Sequence, residues 1–290
     1  MRRTLYSHGF LRLAPNVVAE DRTSLTTTLG LPHGARTIAF FEVEPRVLAI
    51  DVVGPRPDAA TRKEIIRAVR AMLALDDDLS GFYTTLAGDP DLGWAARGAG
   101  RLFRSPTAFE DVIKTILTTN CAWSATIRMS RALVDGLGSP DVTDETRRAF
   151  PAPPAMAQAP LSFYRDVVRA GYRGPYLRSL AARVADGEID LEALRNTTRA
   201  ELDDSTLEKL LRELPGVGPY AAAHIMMLFG RRHRLVLDSS TRPRYARLSG
   251  RKVKDATIVR RFARYGDDAG LAFWLYLSRE WLERAFGSET

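Results

Sequence analysis

Two regimes of apolar and polar positions divide the chain. Up to about residue 55 the apolar residues come in short runs, LYSHGFLRL, RTIAFFEVE and RVLAIDVVG, rich in β-branched and aromatic types and broken by proline, glycine and charge. Such runs predict strands, and hairpin-linked antiparallel pairing is their simplest connection. From Asp58 to Leu75 the spacing becomes that of an amphipathic helix, with Ile65, Ile66, Val69, Met72 and Leu73 on one face, suited to covering a sheet. Beyond Asp76 the pattern is helical throughout. Phe109 to Leu117 predicts a buried helix that runs out in Thr118-Thr119-Asn120, poor helix formers. Ser124 to Leu137 predicts the next. Leu161 to Ala170, Tyr176 to Ala185 and Asp190 to Leu194 predict shorter helical pieces, and the proline-rich Ala152 to Pro160 a connector. Turn signals in DDDLSG, AGDPD and ARGAG set a boundary between residues 76 and 100. The predicted class is α+β: an N-terminal antiparallel sheet domain with a helix, 1–90, then an all-helical domain, 91–290.

Charge sharpens this picture. Lys and Arg number 42 against 35 Asp and Glu, a net +7, which leans towards a polyanionic partner. Nine cations lie between Arg242 and Arg264, Arg242 and Arg244 among them, against the single acid Asp255; a solvated face and a DNA-backbone contact both fit such a run. No apolar run has the length of a membrane span, and MRRTLYSHGF lacks the apolar stretch of a signal peptide. The lone cysteine, Cys121, forms no intramolecular disulfide and suits a reducing cytoplasm; it also excludes a four-cysteine iron–sulfur cluster.

The most informative stretch is Ser205 to Arg242. Asp204 or Ser205 can cap a helix whose apolar face is Leu207, Leu210, Leu211 and Leu214. Pro215-Gly216-Val217-Gly218 stops it, the glycines permitting positive φ, and Pro219 suits the first turn of the following helix. A hairpin of this kind presents bare backbone N–H groups at a helix N-terminus, where a phosphate can bind; a plain helical corner is the bland alternative. Asp238 closes the apolar run Leu235-Val236-Leu237. It can cap the next helix, act as a fixed carboxylate, or do both.

LPGVGPYAAAHIMMLFG followed by LVLD resembles the helix-hairpin-helix DNA glycosylases, in which a catalytic aspartate follows the hairpin at a set distance; Gly218 and Asp238 keep it. Pro106 to Gly138, GYRGPYLRSLA from Gly171 to Ala181, and GLAFWLYL from Gly270 to Leu277 resemble other core segments of that superfamily. RTLYSHGFLRLAP resembles the opening of bacterial 3-methyladenine-type enzymes. The resemblance implies double-stranded DNA carrying a damaged base as partner, Pro215, Gly216, Val217 and Gly218 on its backbone, and Asp238 as the catalytic group. It implies Tyr220, His224 and Trp123 at the base pocket, Tyr220 standing where bifunctional members carry a lysine. Asn120 or Trp123 would fill the gap left by the flipped base. Trp123, Tyr172 and Trp274 are otherwise expected in the core. Expected too are a monomer in the cytoplasm, no redox cofactor, and a monovalent cation at the hairpin carbonyls. Hydrolysis of alkylated bases is the first reading; release of oxidised or deaminated purines, and DNA binding without catalysis, are the rivals.

Overall fold

A computed structural model describes residues 1–286, with side chains to Leu282. Four antiparallel strands, β1 (Val17–Val18), β2 (Ser24–Leu29), β3 (Arg36–Glu44) and β4 (Val47–Val52), lie in chain order within one sheet. Two of them are the predicted runs. β2 has few apolar positions because its threonines pair internally, Thr28 sharing a 2.9 Å hydroxyl hydrogen bond with Thr37 of β3 in the buried interior.

The third predicted strand does not form. Within LYSHGFLRL the chain makes a short helix α1 (Arg2–Leu5) and a tight turn Gly9–Arg12. Leu5, Phe10, Leu11 and Leu13 are all buried, so the apolar residues meet protein on every side, whereas a strand would bury alternate ones. The Trp274 and Trp281 indole N–H groups donate to the carbonyls of Ser7 and Tyr6 at 2.9 and 3.1 Å, tying this segment to the last helix.

Helix α2 (Ala59–Met72) is capped by Asp58, whose side chain accepts from the Thr61 N–H. Ile65, Val69, Met72 and Leu73 are buried as expected, but Ile66 is 52% exposed, one residue round from the inward stripe. The helical part follows: α3 (Ser80–Leu86), α4 (Ala108–Thr118), α5 (Trp123–Leu137), α6 (Pro153–Gln158), α7 (Arg173–Ala185), α8 (Leu191–Asn196), α9 (Asp204–Arg212), α10 (Pro219–Leu228), α11 (Thr241–Ser249), α12 (Asp255–Phe262) and α13 (Ala269–Phe286). The proline-rich connector is α6; its prolines sit in the first turn, where the missing N–H costs nothing. Leu161 to Ala170 forms only the widened turn Phe163–Val167.

One contiguous set of buried side chains runs from β2 and β3 through α4, α7 and α10 to α13. Helix α4 is its axis, buried along nearly its whole length, and includes the buried ion pair Lys114 Nζ to Glu110 Oε1 at 2.5 Å. Helix α10 packs on α4 and α9 through Ala221, Ala222 and Ala223, whose small side chains permit close approach. Among the described residues no helix is long and apolar enough to cross a membrane.

Candidate active site

The hairpin is built as its composition dictates, with two corrections. The cap of α9 is Asp203, one residue earlier than expected; its Oδ1 accepts from the N–H groups of Ser205 and Thr206. Of the two glycines only Gly216 needs its freedom: its φ is +82°, and a Cβ there would lie 3.1 Å from Tyr176. Gly218 sits at φ −91°, and a Cβ there would meet nothing within 4 Å. Neither conformation nor packing requires a glycine at 218. Its bareness leaves the start of α10 open, with no side-chain cap and, among the described residues, no partner for the N–H groups of Gly218, Tyr220 and Ala221.

Across from this helix start stands Asp238, half-buried. Its Oδ1 accepts from the N–H groups of Ser240 and Thr241 at 2.8 and 2.6 Å, and its own N–H donates to Thr241 Oγ1 at 2.8 Å. Capping and a fixed carboxylate therefore coexist. Among the described residues the hydrogen bonds Asp238 accepts fall on Oδ1, which leaves Oδ2 for a ligand.

Gly218, Tyr220, His224 and Asp238 line one cleft of about 820 Å³, with Thr118 to Cys121, Trp123, Tyr172, Trp274 and Trp281. Its floor is aromatic. Tyr220 and His224, one turn apart on α10, stack with ring centres 6.2 Å apart and planes 22° apart; Trp274 meets His224 edge-on at 6.0 Å. Tyr220 Oη lies 3.3 Å from Thr118 Oγ1. Burial raises the Tyr220 hydroxyl pKa, and the Asp238 charge adds to that, against the Thr118 hydrogen bond. Burial lowers His224 to about 4, and its Nδ1 has no hydrogen-bond partner among the described residues. At neutral pH the cleft floor is uncharged, which leaves Asp238 as its fixed anion.

The N-terminal segment completes the floor, and the sequence reading missed this. His8 meets His224 edge-on at 5.6 Å, and Phe10 lies 5.6 Å from the same ring. His8 Nδ1 accepts from the Phe10 N–H while Nε2 donates to the Phe103 carbonyl, an arrangement that holds the neutral tautomer. Burial, then the neighbouring His224, lowers it to about 3. The only clue was the glycine between them: a Cβ on Gly9 would lie 2.5 Å from the Trp123 indole.

Trp123 and Tyr172 are not core residues; they are 36% and 52% exposed at the rim, and only Trp274 is largely enclosed. Asn120, between α4 and α5, is exposed in the left-handed region at φ +47°, and its amide donates to Tyr172 Oη at 3.0 Å. The Arg173 guanidinium lies over the Tyr172 ring at 4.6 Å. The cationic run is less free than its composition suggests. Arg242 is doubly hydrogen-bonded to Asp255, Arg247 to Glu280, and Arg261 and Arg264 reach Asp91 and Asp89. Arg244 lies over the Trp281 ring at 4.6 Å. Among the described residues no cluster of three His, Cys, Asp or Glu that could hold a metal ion is present.

No protein-family model matches the chain. The DNA-3-methyladenine glycosylase of Bacillus subtilis is 24% identical over 169 residues, 57% of this chain and 54% of that protein, so the match spans about half of the relative's length. The 3-methyladenine DNA-glycosylase of Archaeoglobus fulgidus superposes over 96% of this chain and 94% of its own, with TM-score 0.73 and 18% identity. The 8-oxoguanine glycosylase/lyase of Clostridium acetobutylicum, solved with double-stranded DNA holding cytosine opposite 8-oxoG, superposes over 94% and 92%, with TM-score 0.67 and 18% identity. With its antiparallel sheet, its helical core and a Gly/Pro hairpin facing Asp238, the chain shares the fold of these solved glycosylases.

Proposed function

We propose that the protein is a monofunctional DNA glycosylase that flips an alkylated purine out of duplex DNA and hydrolyses its N-glycosidic bond. One observation carries this reading: a carboxylate fixed by two backbone N–H groups stands at an open aromatic cleft, beside a helix N-terminus with no side-chain cap. The bare N–H groups take a backbone phosphate. The extruded base enters among Tyr220, His224, Trp274 and Phe10, uncharged π-faces that favour an electron-poor or cationic ring. As the C1′–N bond breaks, its electron pair leaves with the base and positive charge gathers on the sugar. Oδ2 of Asp238 stabilises that charge, orients the water whose oxygen bonds to C1′, and accepts the proton that the water gives up. Alkylation has already weakened the bond, so the floor needs no acid to protonate the leaving base, in keeping with two histidines held neutral.

Water is the nucleophile because no amine reaches the site. Tyr220 occupies the position of the lysine in the bifunctional members, no lysine lines the cleft among the described residues, and Lys114 is buried against Glu110. Asn120 and Trp123 are the two rim side chains able to fill the gap in the duplex. A monovalent cation on the hairpin carbonyls would add positive charge beside the bound phosphate; the chain acts as a monomer in the cytoplasm.

Asn120, left-handed and exposed at the rim, favours a second reading, release of an oxidised purine. Duplexes carrying 3-methyladenine, 7-methylguanine, 8-oxoguanine or hypoxanthine separate the two. The first reading expects free methylated base and little else; preferential release of 8-oxoguanine would overturn it in favour of the second.

A further inference from the structure

Beyond the rim formed by Trp123 and Trp281 a second depression, of about 660 Å³, opens on the N-terminal segment. It shares His8, Gly9, Trp123 and Trp281 with the cleft, so the two are separated only by those side chains. Arg12 and Arg22 line it, with Glu20 as the acid among its walls. Arg2 is close enough that it, Arg22 and Arg12 all act on the Tyr6 hydroxyl. All three arginines are exposed, and none pairs with an acid among the described residues. They differ in this from the Arg242 to Arg264 run, much of whose charge is already paired. Unpaired guanidinium groups beside a ligand cleft mark where an anion is expected, since each can take a phosphate without first breaking an ion pair.

We propose that Arg2, Arg12 and Arg22 form the second half of the DNA interface, gripping phosphates of the duplex on the side of the flipped nucleotide away from the hairpin. This rests on the glycosylase reading of the cleft. The physical need is mechanical. Extruding one nucleotide bends the duplex across the cleft mouth, and a grip on one flank alone would let the other swing away. The hairpin supplies one grip through neutral N–H groups; the arginine face supplies the other through charge. Each phosphate it neutralises releases counterions and steepens the salt dependence of binding.

The test uses the full chain with Arg12→Gln and Arg22→Gln together, and a duplex carrying a non-cleavable abasic-site analogue. A control variant, Arg62→Gln with Lys63→Gln on α2, removes the same net charge elsewhere. Binding is titrated from about 50 to about 200 mM salt, a range in which phosphate contacts dominate the dependence. The expected result is a plot of log affinity against log salt that is shallower by about 2 for the Arg12/Arg22 variant, at about 0.9 per phosphate, and unchanged for the control. An unaltered slope, or an equal loss in the control, overturns the inference while leaving the glycosylase reading intact. A wild-type protein that neither binds the duplex nor releases any base removes both.

Discussion

The two walls of the cleft differ in how they are held. On one side the α9–α10 hairpin and Asp238 are short-range structures: a cap, a glycine at φ +82°, a proline in the first helical turn, and a carboxylate tied to residues two and three positions on. On the other side residues 1–13 take their shape from far along the chain, from Trp274, Trp281 and the Phe103 carbonyl. In the proposed reaction the first wall carries the reacting charge and the second shapes the pocket for the base. Disturbing the first should strike the chemical step or the phosphate contact. Disturbing the second should strike the fit of the base.

The largest effect belongs to the charged wall. Asp238→Asn keeps a capping side chain but removes the charge. Single-turnover base release should fall about a hundredfold to a thousandfold with duplex affinity unchanged; undiminished release would take Asp238 out of the mechanism. Next comes the shaped wall. Gly9→Val must displace the Trp123 indole, which would stand 2.5 Å from the new Cβ. Base release measured as kcat/KM should fall about tenfold to a hundredfold, as misplacement near a reacting centre does. A wild-type value would mean that Trp123 does not shape the pocket. A smaller effect is expected from Gly218→Asp, which brings a negative side chain to the helix N-terminus: affinity should weaken several-fold, whereas Gly218→Ala, with open space before its Cβ, should stay close to wild type. Equal affinities for all three would return the hairpin to a structural role.

A separate comparison reads the floor itself through pH. His224 is lowered to about 4 by burial, so below the ordinary histidine value of 6.5 the unfolded chain takes up the proton first, and stability falls as pH drops from there through 4. Asp111 works in the opposite sense: burial, against the attraction of Arg195, raises it to about 7, so the folded chain takes up its proton first as pH falls from 7. Thermal midpoints at neutral and acid pH should therefore be compared between wild type and His224→Phe. The variant should lose less on acidification to about pH 4, by roughly 3 kcal/mol. Equal losses would mean that His224 is not held neutral.

The same contrast explains what could be read from the sequence. The hairpin, the following helix and Asp238 were legible because their determinants lie within a few residues of one another. Helix α4 was legible because it is buried along nearly its whole length and keeps a clean apolar spacing. The segment LYSHGFLRL alternates like a strand, yet all its apolar residues are buried, because α13 lies against it and takes its carbonyls through two indoles. That partner sits hundreds of residues away, so no local pattern records it. The strand β2 escaped notice because its buried polar residues satisfy one another across the sheet. Tyr172, expected in the core, is exposed at the rim, and Trp123, expected either at the base pocket or in the core, lines the cleft there.

The central claim is that a carboxylate and a water, rather than an amine, cleave the glycosidic bond. It is tested most directly by running the wild-type reaction in isotopically labelled water on a duplex with one methylated purine. The account predicts free base, an intact strand that breaks only in hot alkali, and the label on the C1′ oxygen of the abasic sugar. Direct strand scission, with a protein–DNA adduct trapped by borohydride, would contradict it.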